Sequence, residues 1–398
     1  MVTARKVFLL ILLLFTTVSV FTCNNNETST VTPQDSYLVS YTEIGALSKE
    51  QLAAQNGNQL AVQLQKAGLK YDIKVYKLIY NTKLPDGTTT KASGAVVVPT
   101  VTSPVPMISQ QHGTISNDAD APSNFSSKSD VATTCVFLAS VGYIMVCPDY
   151  IGYGESKQLP HTYELRNDLA TASLDMIRAA KEFFRKKSVK WNDKLFLTGY
   201  SEGGYATMSL QKKIEEEFPS EFPLTASSIG AGAYHKTAFL KYVINQKTAG
   251  NPSSNKVYLW ALMSYNDSYK LNKPVGYFLK EPYASQVAQN GKNVTINVSM
   301  SDIFNDSFKK SINDGTETDF LNAVKDNDVY DWKPKTPTYL YHGTADDLVF
   351  FFNTQDAYDA MTKRGAPDVE IKPIKNKGHA SAAADYLIGT YNYFASFN

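Results

Sequence analysis

Leu195-Phe196-Leu197-Thr198-Gly199-Tyr200-Ser201-Glu202-Gly203-Gly204-Tyr205-Ala206 decides the reading of this chain. An apolar run stops at a serine flanked by glycines, and helix-forming residues follow at once, so the stretch predicts a strand, a sharp turn and a helix. The pattern Gly-x-Ser-x-Gly suits a nucleophile: Gly199 and Gly203 leave room for a turn too tight for side chains, and Ser201 is held strained with its hydroxyl exposed. The same turn aims the first N–H groups of the new helix, that of Glu202 foremost, at the place where negative charge would gather on a substrate oxygen.

Outward from this turn, strands and helices alternate. Upstream, Tyr71–Tyr80 and Lys91–Val98 predict a hairpin across Pro85-Asp86-Gly87, and Val105–Gln110 a third strand ending at His112-Gly113-Thr114. A helix near 131–141, a strand Tyr143–Cys147 and a long amphipathic helix near 165–187 lead into the central stretch. Downstream come a helix to about Phe218 and a strand Leu224–Gly230. After Pro334 the rhythm resumes: strand Thr338–Tyr341, helix near 351–364, strand Val369–Ile374 and a last helix from Ala380. The segment 37–68 reads as an irregular start with a helix near 48–69. This alternation predicts an α/β fold, a mostly parallel sheet covered by helices on both faces.

Residues 234–333 break the pattern with Pro, Asn and many aromatics, and a structureless loop of that length does not fit a compact domain. We expect a mainly helical cap inserted into the core, which then comprises 37–233 and 334–398.

At 398 residues and 43% hydrophobic the chain can bury a large core, and a net charge of +1 implies no phosphate-binding surface and no nucleic-acid partner. The basic start Met1–Lys6 and the apolar run Val7–Phe21 have the layout of a secretory signal over 1–22. Cys23 and an Asn-rich polar tether over 23–36 follow. This layout resembles a bacterial lipoprotein signal, which implies a lipidated Cys23 and membrane attachment; plain secretion is the alternative. Either way an exported protein is expected. Cys135 and Cys147 would pair in an oxidising compartment or remain two buried thiols. Oligomeric state is not readable.

A serine hydroxyl needs an imidazole to take its proton. Of five histidines, His379 follows the last strand, at the carboxyl end where such sheets place their chemistry. His342 reads as structural, and His161, in a loop, and His235, at the start of the inserted segment, read as making no substrate contact. An acid must hold the imidazole, and His342-Gly343-Thr344-Ala345-Asp346-Asp347-Leu348-Val349 offers Asp346 and Asp347.

The order serine, acid, histidine and the motif around Ser201 resemble the α/β-hydrolases over about residues 71–398. With the inserted segment and Pro148-Asp149-Tyr150-Ile151-Gly152-Tyr153-Gly154, they resemble in particular secreted lipases and esterases of the secretory lipase type. The resemblance implies a catalytic triad of Ser201, Asp346 and His379, Asp346 being chosen because the run matches the His-Gly-x-x-Asp-x-x-Val acid loop. It also implies a second oxyanion donor from Thr114 or Gly113 beside the N–H of Glu202. Thr114 after His112-Gly113 departs from the His-Gly-Gly-Gly esterase branch, so that branch's substrate rules do not carry over. The implied activity is hydrolysis of a small-molecule or lipid carboxylic ester, with no cofactor and no metal. A serine exopeptidase of the same fold and a catalytically dead binding protein are the alternatives.

Overall fold

Among the described residues nine strands form one sheet in the order β1-β2-β3-β5-β4-β6-β7-β8-β9. They are β1 (Leu38–Leu47), β2 (Ile73–Lys83), β3 (Thr89–Pro99), β4 (Val105–Gln111), β5 (Ile144–Pro148), β6 (Trp191–Tyr200), β7 (Ala226–Gly230), β8 (Thr338–Gly343) and β9 (Val369–Ile374). The computed structural model describes residues 36–55 and 58–397, all within one unit, Asp35–Asn398. The expected signal segment, Cys23 and all of the expected tether except Ser36 lie outside the described residues.

β2 and β3 form the long antiparallel hairpin, β3 pairs antiparallel with β5, and from β5 onward every pairing is parallel. Successive strand residues point to opposite faces, which splits neighbours between two cores. Met107, Val146 and Leu197 pack on one side with Phe183 and Ile177 of the helix Arg166–Lys187. Ile108, Met145 and Phe196 pack on the other with Phe137 and Phe394. Phe196 stacks on Phe394 at 4.5 Å between centroids; truncation to Ala at such a site costs about 3–5 kcal/mol.

The start of the chain differs from the expectation. β1 is a full edge strand on β2, and the single helix expected after it is two, Lys49–Ala53 and Gln59–Ala67, each with its own side-chain cap, from Ser48 and Asn58. β1 has no apolar alternation because it is exposed along much of its length. Backbone pairing holds it, together with Glu182, whose carboxylate accepts the N–H groups of Ser36, Tyr37 and Leu38.

Between β7 and β8 the chain forms helices, the longest being Lys236–Asn245 and Pro252–Ser268, around an apolar cluster that also takes in Leu165 and Val349. Within it Phe278 meets Phe308 and Phe320 at 5.2 and 5.5 Å. Polar ties bind this segment to the sheet layer: Lys236 to Glu164, Arg166 to Asp326 at 2.6 Å, and the hydroxyl of Tyr205 to the carbonyl of Asn327 at 2.8 Å. Among the described residues no helix is long and apolar enough to cross a membrane.

Candidate active site

Ser201 stands between the end of β6 and the helix Glu202–Glu217 with φ 63° and ψ −124°, a left-handed conformation costly for any residue but glycine. The two motif glycines make the turn possible. A Cβ on Gly199 would lie 2.3 Å from the Gly203 carbonyl oxygen, and one on Gly203 would lie 2.1 Å from that of Gln111. The helix therefore presses directly on the loop that follows β4.

His379 begins the helix His379–Ala395, after β9, and its Nε2 lies 2.8 Å from Ser201 Oγ. Its Nδ1 lies 2.7 Å from Asp346 Oδ2. A carboxylate only accepts, so Nδ1 carries the proton and Nε2 is free to receive the serine hydroxyl. Asp346 follows β8, and its second oxygen, Oδ1, accepts the N–H groups of Leu348 and Val349, each at 2.9 Å. Burial pushes this carboxyl up, and the hydrogen bonds of His342 and His379 outweigh burial, so it is held at about 2. Asp347 is exposed.

His342 is fully buried: its Nε2 donates to the Val349 carbonyl at 2.6 Å and lies 3.2 Å from Asp346 Oδ2, while Nδ1 accepts from Thr354 at 2.6 Å. His235 pairs with Asp356 at 2.7 Å. Cys135 and Cys147 are free, buried thiols 3.5 Å apart, and burial pushes the Cys135 thiol well up.

Two supports had no signal in the sequence. The hydroxyl of Tyr200, the variable residue before the serine, donates to the His379 carbonyl at 2.7 Å, while Tyr386 accepts the N–H of Gly199 at 2.9 Å. His161 Nε2 lies 2.7 Å from Glu202 Oε1, both side chains buried.

A cavity of about 900 Å³ opens onto Ser201 and His379. Thr114 and Gly113 line it from the loop after β4, and Phe239, Trp260 and Phe320 from the inserted helices. A Cβ on Gly113 would lie 3.2 Å from the Tyr200 carbonyl, so this loop lies against the serine turn; the Thr114 hydroxyl is held by that of Tyr163 at 2.9 Å. The N–H of Glu202 is at the first helical position, which has no partner within its own helix. Among the described residues no group of three or more His, Cys, Asp or Glu forms a metal-ligand set.

A mostly parallel sheet flanked by helices, with a serine at the sharp turn after a central strand and a helical segment inserted before the last two strands, is the α/β-hydrolase fold. The chain belongs to the secretory lipase family, whose sequence model matches residues 122–386. It is 26% identical to Lipase 10 of Candida albicans over 262 residues, 62% of this chain and 53% of that protein, so the match spans about half the relative's length. A Legionella pneumophila protein assigned as a hydrolase superposes with a TM-score of 0.78 at 27% identity, covering 91% of this chain and 98% of its own. The rice cell wall degrading esterase LipA of Xanthomonas oryzae superposes at 0.74 with 22% identity, covering 90% and 96%.

Proposed function

We propose that the protein is an exported serine hydrolase that cleaves carboxylic esters. The observation that carries this is the chain of two hydrogen bonds from Asp346 through His379 to Ser201, opening on an apolar-walled cavity. Ser201 attacks the ester carbonyl while His379 Nε2 takes its proton. The tetrahedral oxygen is met by the N–H of Glu202 and by the loop at Gly113-Thr114. His379 then returns the proton to the leaving alkoxide, and water repeats the cycle on the acyl-enzyme. Asp346 keeps the imidazole in the required tautomer and offsets its charge.

Residues 234–333 act in this reading as a cap over the cavity, supplying its apolar wall. Membership of the secretory lipase family supports a lipid ester as substrate and export as the destination, with residues 1–22 as the signal. Attachment through a lipidated Cys23 is the finer proposal, resting on the polar tether after it. Purified protein is assayed on p-nitrophenyl esters from acetate to palmitate beside an aminoacyl anilide. Ester hydrolysis lost in Ser201→Ala supports the reading, and anilide cleavage without ester hydrolysis overturns it.

A further inference from the structure

The side chains of His161 and Glu202 meet at 2.7 Å, and neither lines the cavity. Glu202 is the residue whose backbone N–H the mechanism needs, and its side chain is 1% exposed. His161 Nδ1 is anchored on the carbonyl of Ile151 at 2.7 Å. That carbonyl only accepts, so Nδ1 bears a proton, and the contact between Nε2 and Glu202 shares one further proton in a strong hydrogen bond. The imidazole is wedged between Tyr153, at 4.8 Å, and Trp260, at 5.5 Å. Gly152, with φ 94°, makes room for it, since a Cβ there would lie 2.4 Å from the Cα of His161.

The same short segment grips the opposite side of the site. Tyr150 donates its hydroxyl to the His112 carbonyl at 3.0 Å, and His112 Nε2 lies 3.1 Å from the Asp149 carbonyl. His112 immediately precedes Gly113 and Thr114. Asp149 is itself pinned by the N–H of Ser123 at 2.7 Å and the hydroxyl of Ser93 at 2.5 Å. One short loop, 149–152, thus holds the Gly113-Thr114 side directly and the Glu202 side through His161.

We propose that His161 and the Glu202 carboxyl are positioning residues that set the spacing between the two oxyanion donors, with loop 149–152 as the spacer. The inference rests on the ester hydrolase reading. Misplacement of a catalytic group by about 1 Å costs about 10²-fold, and loss of an oxyanion donor about 10²–10³-fold. Glu202→Ala and His161→Phe are therefore expected to lower kcat on p-nitrophenyl butyrate about 10–100-fold per titrated active site, with KM within about twofold. The inhibition constant of an alkyl trifluoromethyl ketone, whose adduct on Ser201 carries the oxyanion, should rise by the same factor. Glu202→Gln, which can still bond His161, should recover most of the loss. If Glu202→Ala fails to fold, His161→Phe decides. Unchanged kcat per active site in the folded variant, or equal shifts in kcat, KM and Tm without the inhibitor effect, overturns the proposal. Wild-type protein that hydrolyses no ester overturns the reading beneath it, whereas active wild type with unaffected variants overturns this inference alone.

Discussion

Asp346 holds the His379 imidazole at 2.7 Å with one carboxylate oxygen and uses the other to cap its own turn. The carboxylate thus ties the end of β8 to the His379 imidazole as well as capping its own turn, and the two contacts separate by substitution.

Asp346→Asn keeps an oxygen for the N–H groups of Leu348 and Val349 but presents an amide to His379, favouring the wrong tautomer. On the proposed mechanism kcat falls on the order of 10⁴-fold, and the neutral amide also gives up the stability that the depressed carboxylate supplies at neutral pH. Asp346→Ala loses the turn as well, and unfolding in urea should show a further cost of about 1–3 kcal/mol. The carboxyl is depressed in the folded state, so its contribution to stability is present above the usual carboxylate range and lost as pH falls toward 2. The stability gap between wild type and Asp346→Ala should therefore narrow below about pH 4.

Tyr200→Phe removes the hydroxyl that ties the Gly-x-Ser turn to the His379 carbonyl. The ring stays packed on Tyr386, at 5.1 Å, so folding survives with a loss of about 1 kcal/mol. The imidazole loses a fixed seat, and kcat should fall about tenfold at unchanged KM. Steady-state kinetics beside a thermal melt read both.

The fold was legible because its signals are local: apolar runs ending in turns, and the glycines around Ser201. Ser201, Asp346 and His379 stood out together because each follows a readable strand, and the structure brings them into one hydrogen-bonded chain. β1 was illegible since an exposed edge strand carries no period of two. His161 reads from the sequence as a loop histidine without substrate contact, and its bond to Glu202 stays hidden because Glu202 lies 41 positions away and nothing in either neighbourhood announces the contact. His342, read as structural beside the acid, is fully buried, with its Nε2 bonded to the Val349 carbonyl and 3.2 Å from Asp346 Oδ2.

Gly203→Ala tests the contact between the helix Glu202–Glu217 and the end of β4 with the loop after it. Its Cβ would sit 2.1 Å from the Gln111 carbonyl oxygen and 2.8 Å from that of His112, both backbone atoms that cannot swing aside. The loop bearing Gly113 and Thr114 must move, so activity should drop at least 10²-fold, with a stability cost of about 1–3 kcal/mol. Wild-type kcat in this variant would show that the loop has no part in the chemistry.

Asp168 gives a prediction of opposite sign from Asp346. It lies in the first turn of the helix Arg166–Lys187, is 5% exposed, and its Oδ2 is buried without a hydrogen-bond partner. Burial, only partly offset by Thr162 and His161, pushes its carboxyl up to about 7. A raised carboxyl binds its proton more tightly in the folded state, so stability falls as pH rises from the usual carboxylate range to about 7, at ~1.4 kcal/mol per unit of difference. Asp168→Asn, neutral and of the same shape, escapes that loss. The variant should melt several degrees above wild type at pH 8, and the advantage should shrink steadily as the buffer is taken down to pH 4. A melting difference independent of pH would place the Asp168 ionisation elsewhere and refute the assignment.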